Sequence, residues 1–262
     1  MRNLPTITDP MYQERPLSAL DQFFLRFIRD RRDLPFVRLS VTIALLFFPS
    51  TIILYLPLLP DNIWWIWATV HLLVCLFVFL APYTLMLHNT SHRPLYKRQH
   101  ERWNKFIPWF LGPFFGQSPD MYFLHHMGMH HNEGNLPNDK SSTMPFQRDS
   151  FLDFLHYFLR FLFIGAVELT QYFFGKKRDA LGMKVMKMDW GYIAELILLA
   201  TFVNPGATLM VFVIPLVYIR LGMMSGNWGQ HAFVDPDQPD NDYTSSISCI
   251  ITRYNRTCFN DG

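Results

Sequence analysis

The sequence predicts an all-α polytopic membrane protein with about four transmembrane helices in two hairpins, interfacial helices, and a cytosolic helical cap that carries clustered histidines. Three observations predict it. The 262-residue chain is 50% hydrophobic and 16% aromatic, which is rich for a soluble domain. Its apolar residues are gathered into long runs without charge. Its Lys and Arg avoid the short connections between those runs.

Taken in order, residues 1–38 read as a cytosolic or interfacial arm containing Arg26, Arg29, Arg31 and Arg32. Residues 39–262 read as the membrane domain. It opens on LSVTIALLFFPSTIILYLPLL at 39–59, which carries no charge and supplies the roughly 20 apolar residues that cross a bilayer. That run starts too far into the chain and is too long to be a signal peptide. A second run, 63–87, opens with Trp64, Trp65 and Trp67, side chains suited to headgroup level. Residues 151–174 are apolar but interrupted by Asp153, His156, Arg160 and Glu168, the pattern of an amphipathic or interfacial helix. A second hairpin follows, 190–203 and 207–221, split by the turn Asn204-Pro205-Gly206. Glu195 is expensive to bury in lipid, so it is expected to face the bundle.

Charge placement orients these runs. Of 23 basic residues, seven precede the first run, thirteen fall between His88 and Met188, and three lie from Arg220 onward. The turns Pro60-Asp61-Asn62 and Asn204-Pro205-Gly206 have none. Both hairpins therefore dip away from one basic, cytosolic face, and the histidine clusters stand on that face. A formal net charge of +2 is too small to point to nucleic acid. Cys75, Cys249 and Cys258 show no metal-type CxxC spacing and require no disulfide.

The histidines carry the chemistry. His88-Asn89-Thr90-Ser91-His92 leaves the second run, so a continuing helix sets two imidazoles one turn apart on one face. In HHMGMHHNEGN, His126 and His130 repeat that spacing, His131 is displaced by about 100°, and His125 points elsewhere, toward a supporting role. Asn227 and His231, in NWGQH, again stand one turn apart. One histidine on a polar helix is ordinary; two clusters on one face of one membrane need a metal or a proton to share. Asp120 and Glu133 flank the second cluster and are candidates to orient its imidazoles. His71, an offset of about 260° from His88 on a helix, reads as a buried hydrogen-bonding group, and His100 and His156 as surface histidines. Trp103, Phe106, Trp109, Phe110, Phe114, Phe115, Tyr122 and Phe123 suit an acyl tunnel and a membrane anchor equally.

HNTSH, HHMGMHHNEGN and GNWGQHAFVDP, in this order and at these distances, resemble the membrane fatty acid desaturases and their related hydroxylases, over most of the chain from about Leu39. The resemblance implies two irons held by His88 and His92 of the first histidine box, His126, His130 and His131 of the second, and His231, with Asn227 reaching a metal through water. It implies oxygen-dependent desaturation of a fatty acyl chain, in lipid metabolism, with dioxygen and an external b-type cytochrome or ferredoxin as electron donor. It also implies an integral, multi-pass membrane location, in the endoplasmic reticulum for a eukaryotic chain. The family's third box, HxxHH or QxxHH, has no match here. The sequence stops at Asn260-Asp261-Gly262, a stretch of the kind that precedes that box, so a C-terminally shortened chain is expected. A hydroxylase on the same scaffold and a non-catalytic fragment are the alternatives. Zinc hydrolysis normally uses fewer histidines, and a haem protein would pair its histidines within the spans.

Overall fold

The computed structural model describes residues 16–231, together with 235, 237 and 238. Among the described residues there is no strand, only an isolated antiparallel bridge between Ile28 and Tyr96. Helix α1, Ala19–Phe24, starts on a capping box in which Ser18 and Asp21 satisfy each other's backbone N–H groups. Helix α2, Leu34–Tyr55, has a proline in its first turn, where no N–H is needed. Asp21 ties α1 to α2 by accepting from Arg38 Nε at 2.7 Å.

Helix α3 runs Asp61–His92 and absorbs a π turn at Cys75–Phe79. At about 1.5 Å per residue its 32 residues reach roughly 48 Å, against a hydrocarbon core of about 30 Å. The excess length carries His88 and His92 past the apolar run. After an irregular helical segment at 98–115 comes α4, residues 121–133, whose middle is again a π turn, His126–His130. Then follow α5, Phe151–Gly175, α6, Asp179–Phe202, and α7, Pro205–His231.

Among the described residues, three helices are long and apolar enough to cross a membrane: Arg31–Tyr55, Asp61–His92 and Pro205–His231. Helix α6 has an apolar second half, but Asp179, Lys184, Lys187 and Asp189 crowd its first half. The sequence expects about four spans, and α6 is the one whose charges keep it from qualifying. Exposed Leu45, Ile66, Phe77 and Val78 on α2 and α3 give these helices a lipid-facing surface. This is an all-α membrane protein. Helix α5 forms over the predicted amphipathic stretch, with Phe151, Leu152 and Phe163 exposed and Tyr157, Phe158 and Phe173 buried.

The main core lies where α2, α3, the 98–115 segment and α7 meet. Tyr83 stacks on Phe115 at 4.2 Å, and Phe47 closes on the same ring at 5.5 Å. Gly116 ends that segment at φ +73°, and a Cβ there would stand 2.1 Å from Leu216 Cα, so α7 approaches the turn as only glycine permits. Glu195 departs from expectation: it is exposed, because Tyr192 and Leu196 take the buried face of α6 and leave it on the flank.

Candidate metal centre

The cluster is assembled from two helices. His88 and His92 lie one turn apart at the end of α3, with their Nε2 atoms 3.0 Å apart. In α4 the local winding matters more than the spacing. A π turn closes i→i+5 bonds, and the His131 N–H is donated to the His126 carbonyl. The residue above His126 is therefore His131: their Nε2 atoms are 3.0 Å apart and their ring centroids 4.4 Å, against 5.8 Å for His126 and His130. An α-helical reading pairs His126 with His130; the π turn pairs it with His131. Carbonyls displaced by the turn find side-chain donors, with Asn132 Nδ2 donating to Met127 and Gly128 and Arg178 Nη1 to Gly128.

The two helices meet at His92 and His126, whose Nε2 atoms are 3.1 Å apart. The ligand atoms of His88, His92, His126 and His131 all lie within 4.8 Å of one another, a group able to hold a metal ion. Burial, followed by the neighbouring imidazoles, pushes His126 down to about 2 and His131 down to about 4. Both rings are neutral at pH 7, with lone pairs available.

His130 turns a different way. Its Nδ1 donates to Asp139 Oδ2 at 2.7 Å, and its ring lies 5.5 Å from that of His231. Asp139 is buried and also accepts from Asn135 N, Ser141 N and Ser141 Oγ. Burial pushes its carboxyl up, but the bonds from His130 and Ser141 outweigh this and hold it at about 2. Asp139 is the residue that sequence reasoning missed. It lies nine residues beyond His130, outside helical spacing, and only the turn after α4 folds it back. The predicted partners are engaged elsewhere: Asp120 accepts from Lys105, Lys184 and Trp109, and Glu133 from Tyr172 and Lys176. Each finds its cations on a neighbouring segment instead.

His125 is partly buried beside the cluster, its ring parallel to His130 at 6.1 Å. Burial pushes it down to about 4, and its Nε2 has no hydrogen-bond partner. It lines a cavity of about 40 Å³ with Ser118, Asp189 and Arg220. Asn227 donates both to Ser141 O and to Tyr157 Oη, which commits its N–H groups to the turn holding Asp139. Its side chain also lines a cavity of about 190 Å³ bordered by His88, His126 and His130.

The other histidines lie apart from the cluster. His71 is buried and hydrogen-bonded to Ser50 Oγ at 2.8 Å; His100 packs on Phe27 and His156 on Phe146. Cys75 is buried, while Cys249, Cys258 and the terminal Asn-Asp-Gly lie outside the described residues. Of the predicted aromatics, Phe114, Phe115 and Tyr122 are buried, whereas Trp103, Trp109, Phe110 and Phe123 are exposed.

No curated protein and no solved structure matches the chain. A family model does: fatty acid desaturase, over residues 62–262, from the start of α3 onward and so across every histidine of the cluster. With that match spanning most of its length, the chain belongs to the fatty acid desaturase family.

Proposed function

We propose that this chain catalyses the oxygen-dependent desaturation of a fatty acyl chain at a di-iron centre held by His88, His92, His126, His130, His131 and His231. The family implies an oxidoreductase of the desaturase and hydroxylase type. The observation that carries the finer reading is the convergence of Nε2 atoms. An imidazole nitrogen holds either one in-plane hydrogen or one lone pair. Nε2 of His92 stands 3.0 Å from His88 and 3.1 Å from His126, and Nε2 of His126 also meets His131 at 3.0 Å. Hydrogen bonds alone cannot satisfy that chain of contacts, whereas cations shared among the lone pairs can. The donor set therefore fits the irons. Imidazole also suits other first-row metals, and family membership favours iron.

Bound iron supplies the dioxygen chemistry that removes two hydrogens from an unactivated acyl segment, with electrons from an external b-type cytochrome or ferredoxin. The chain's own residues do the rest. Asp139 holds the proton on His130 Nδ1 and so keeps Nε2 as the free ligand atom. Leu85, Tyr122, Met223 and Met224 give the cavity beside His88 an apolar wall that receives a chain and excludes water. Asn227 is proposed to reach a metal through water by its Oδ1, and His125 to support the second box.

The chain is proposed to span the membrane several times, with the basic helix ends and the histidines facing the cytosol and, in a eukaryote, with the endoplasmic reticulum as its location. The arm is residues 1–38 and the catalytic membrane domain 39–262. The test is iron per polypeptide, by elemental analysis, on protein purified in mild detergent and loaded anaerobically with Fe(II). About two irons in the wild type, lost in His130→Ala, support the reading. Mass analysis of acyl products then separates an alkene from an added oxygen. No bound iron would sink the di-iron assignment.

A further inference from the structure

We propose that the chain carries a second lipid site, apart from the histidine cluster, that holds a membrane phospholipid of net negative charge. A cavity of about 330 Å³ opens between the N-terminal segment, α2 and the stretch after α3, lined among others by Phe23, Phe27, Val41, Tyr96, Trp103 and Phe106. It is larger than the cavity of about 190 Å³ beside the histidines and shares no lining residue with it. Its walls are almost wholly rings and aliphatic carbon, and two of them, Phe23 at 49% and Trp103 at 48% exposed, stand open. Surface of that kind is costly in water and well matched to an acyl chain.

The rim of this cavity is basic. Arg29 Nε donates to the carbonyl of Tyr96 at 2.9 Å, Lys97 Nζ to the carbonyl of Arg26 at 2.9 Å, and the Arg102 guanidinium lies 5.9 Å from the Trp103 ring centroid. Arg26, Arg29, Arg98 and Arg102 are exposed. Among the described residues, no carboxylate pairs with Arg26, Lys97, Arg98 or Arg102. The nearby carboxylates are taken: Asp21 by Arg38, Asp30 by Arg32 and Arg93, and Asp33 by Arg93. Glu101 is the one acidic residue in Arg98–Lys105. An aromatic slot for a chain, rimmed by unpaired cations at the basic end of the spans, has the chemistry of a phosphate-bearing lipid: the chain in the slot, the phosphate on the arginines. The proposal needs only that the chain sits in a membrane, and it is independent of the desaturase reading.

The test uses the full chain in mild detergent, freed of lipid, then offered phosphatidylglycerol or phosphatidylcholine with identical acyl chains, with bound lipid counted by native mass spectrometry. Wild type is expected to retain phosphatidylglycerol about tenfold or more in preference to phosphatidylcholine, since each cation near a lipid phosphate adds severalfold. Val41→Trp, which fills the slot, should lose that lipid. The double variant Arg98→Gln, Arg102→Gln changes only exposed side chains and should bind both lipids alike. Equal retention of the two lipids by wild type overturns the proposal. So does a double variant that keeps the wild-type preference, or a folded Val41→Trp protein that binds as wild type does. Retention of an acidic protein in place of lipid would overturn it as well. Iron content of the same samples, measured in parallel, keeps this outcome separate from that of the metal assignment.

Discussion

At the scale of single residues, the cluster separates ligands from bystanders that look alike in sequence. His126 and His156 are both histidines on helices, yet His126 is one of four converging imidazoles and His156 packs against Phe146. His126→Ala is expected to take iron content from about two per chain toward none, while His156→Ala leaves it unchanged, as read by elemental analysis. Asp139→Asn should weaken metal affinity by roughly 10- to 100-fold, because an amide does not hold the His130 tautomer as a carboxylate does. A competition titration against a chelator measures it; unchanged affinity would remove Asp139 from the site. Asp120 bonds to cations rather than to a histidine. Burial raises its carboxyl, but bonds from Lys105, Lys184 and Trp109 outweigh that and leave it below its ordinary value. A carboxyl lowered in the folded state stabilises above the ordinary value near 3.8 and loses that contribution as pH falls through the folded one. Unfolding temperature should therefore drop below about pH 4 by less in Asp120→Asn than in wild type.

At the scale of elements, the π turn in α4 and the glycine before it do what residue counting does not foresee. Gly116 combines a positive φ with a backbone-to-backbone approach to Leu216. Gly116→Ala is expected to cost about 2–4 kcal/mol, because neither the turn nor α7 can move away from a Cβ at 2.1 Å. Thermal unfolding in detergent reads that loss, and a variant as stable as wild type would show that α7 yields there. The His126–His130 turn is sustained by Asn132 and Arg178, which satisfy the carbonyls it displaces. Neither looks functional in the sequence, since one is a polar neighbour and the other lies in the short connection before α6.

At the scale of the whole molecule, the end of the long helix α3 and the curled helix α4 bring the four cluster histidines together. Because the turns at 60–62 and 204–206 carry no Lys or Arg, a cysteine at Asn62, introduced after Cys249 and Cys258 are replaced by serine, should react with an impermeant maleimide from the non-cytosolic side alone. Labelling from the cytosolic side would reverse the orientation. Helix α6 is the element whose relation to the bilayer its composition decides least. Its buried Asp189 is paired with Arg220 of α7 at 3.0 Å, which offsets the cost of an acidic group inside the bundle.

By itself the sequence determined the helical membrane class, the two apolar runs that became α2 and α3, and the family, because hydropathy and i,i+4 spacing are local properties that survive without coordinates. Much of the site was legible too: His88, His92, His126 and His131 do come together. Only the tertiary structure decided that His131 rather than His130 brings its Nε2 to His126, meeting that ring edge-on at the shorter distance, since a π turn leaves no spacing signature. It alone decided that Asp139 and not Asp120 or Glu133 meets an imidazole, and that Glu195 lies on an exposed flank. Those outcomes depend on which carboxylate reaches which cation first across the fold. That is a matter of distance in space, which neighbours in sequence do not encode.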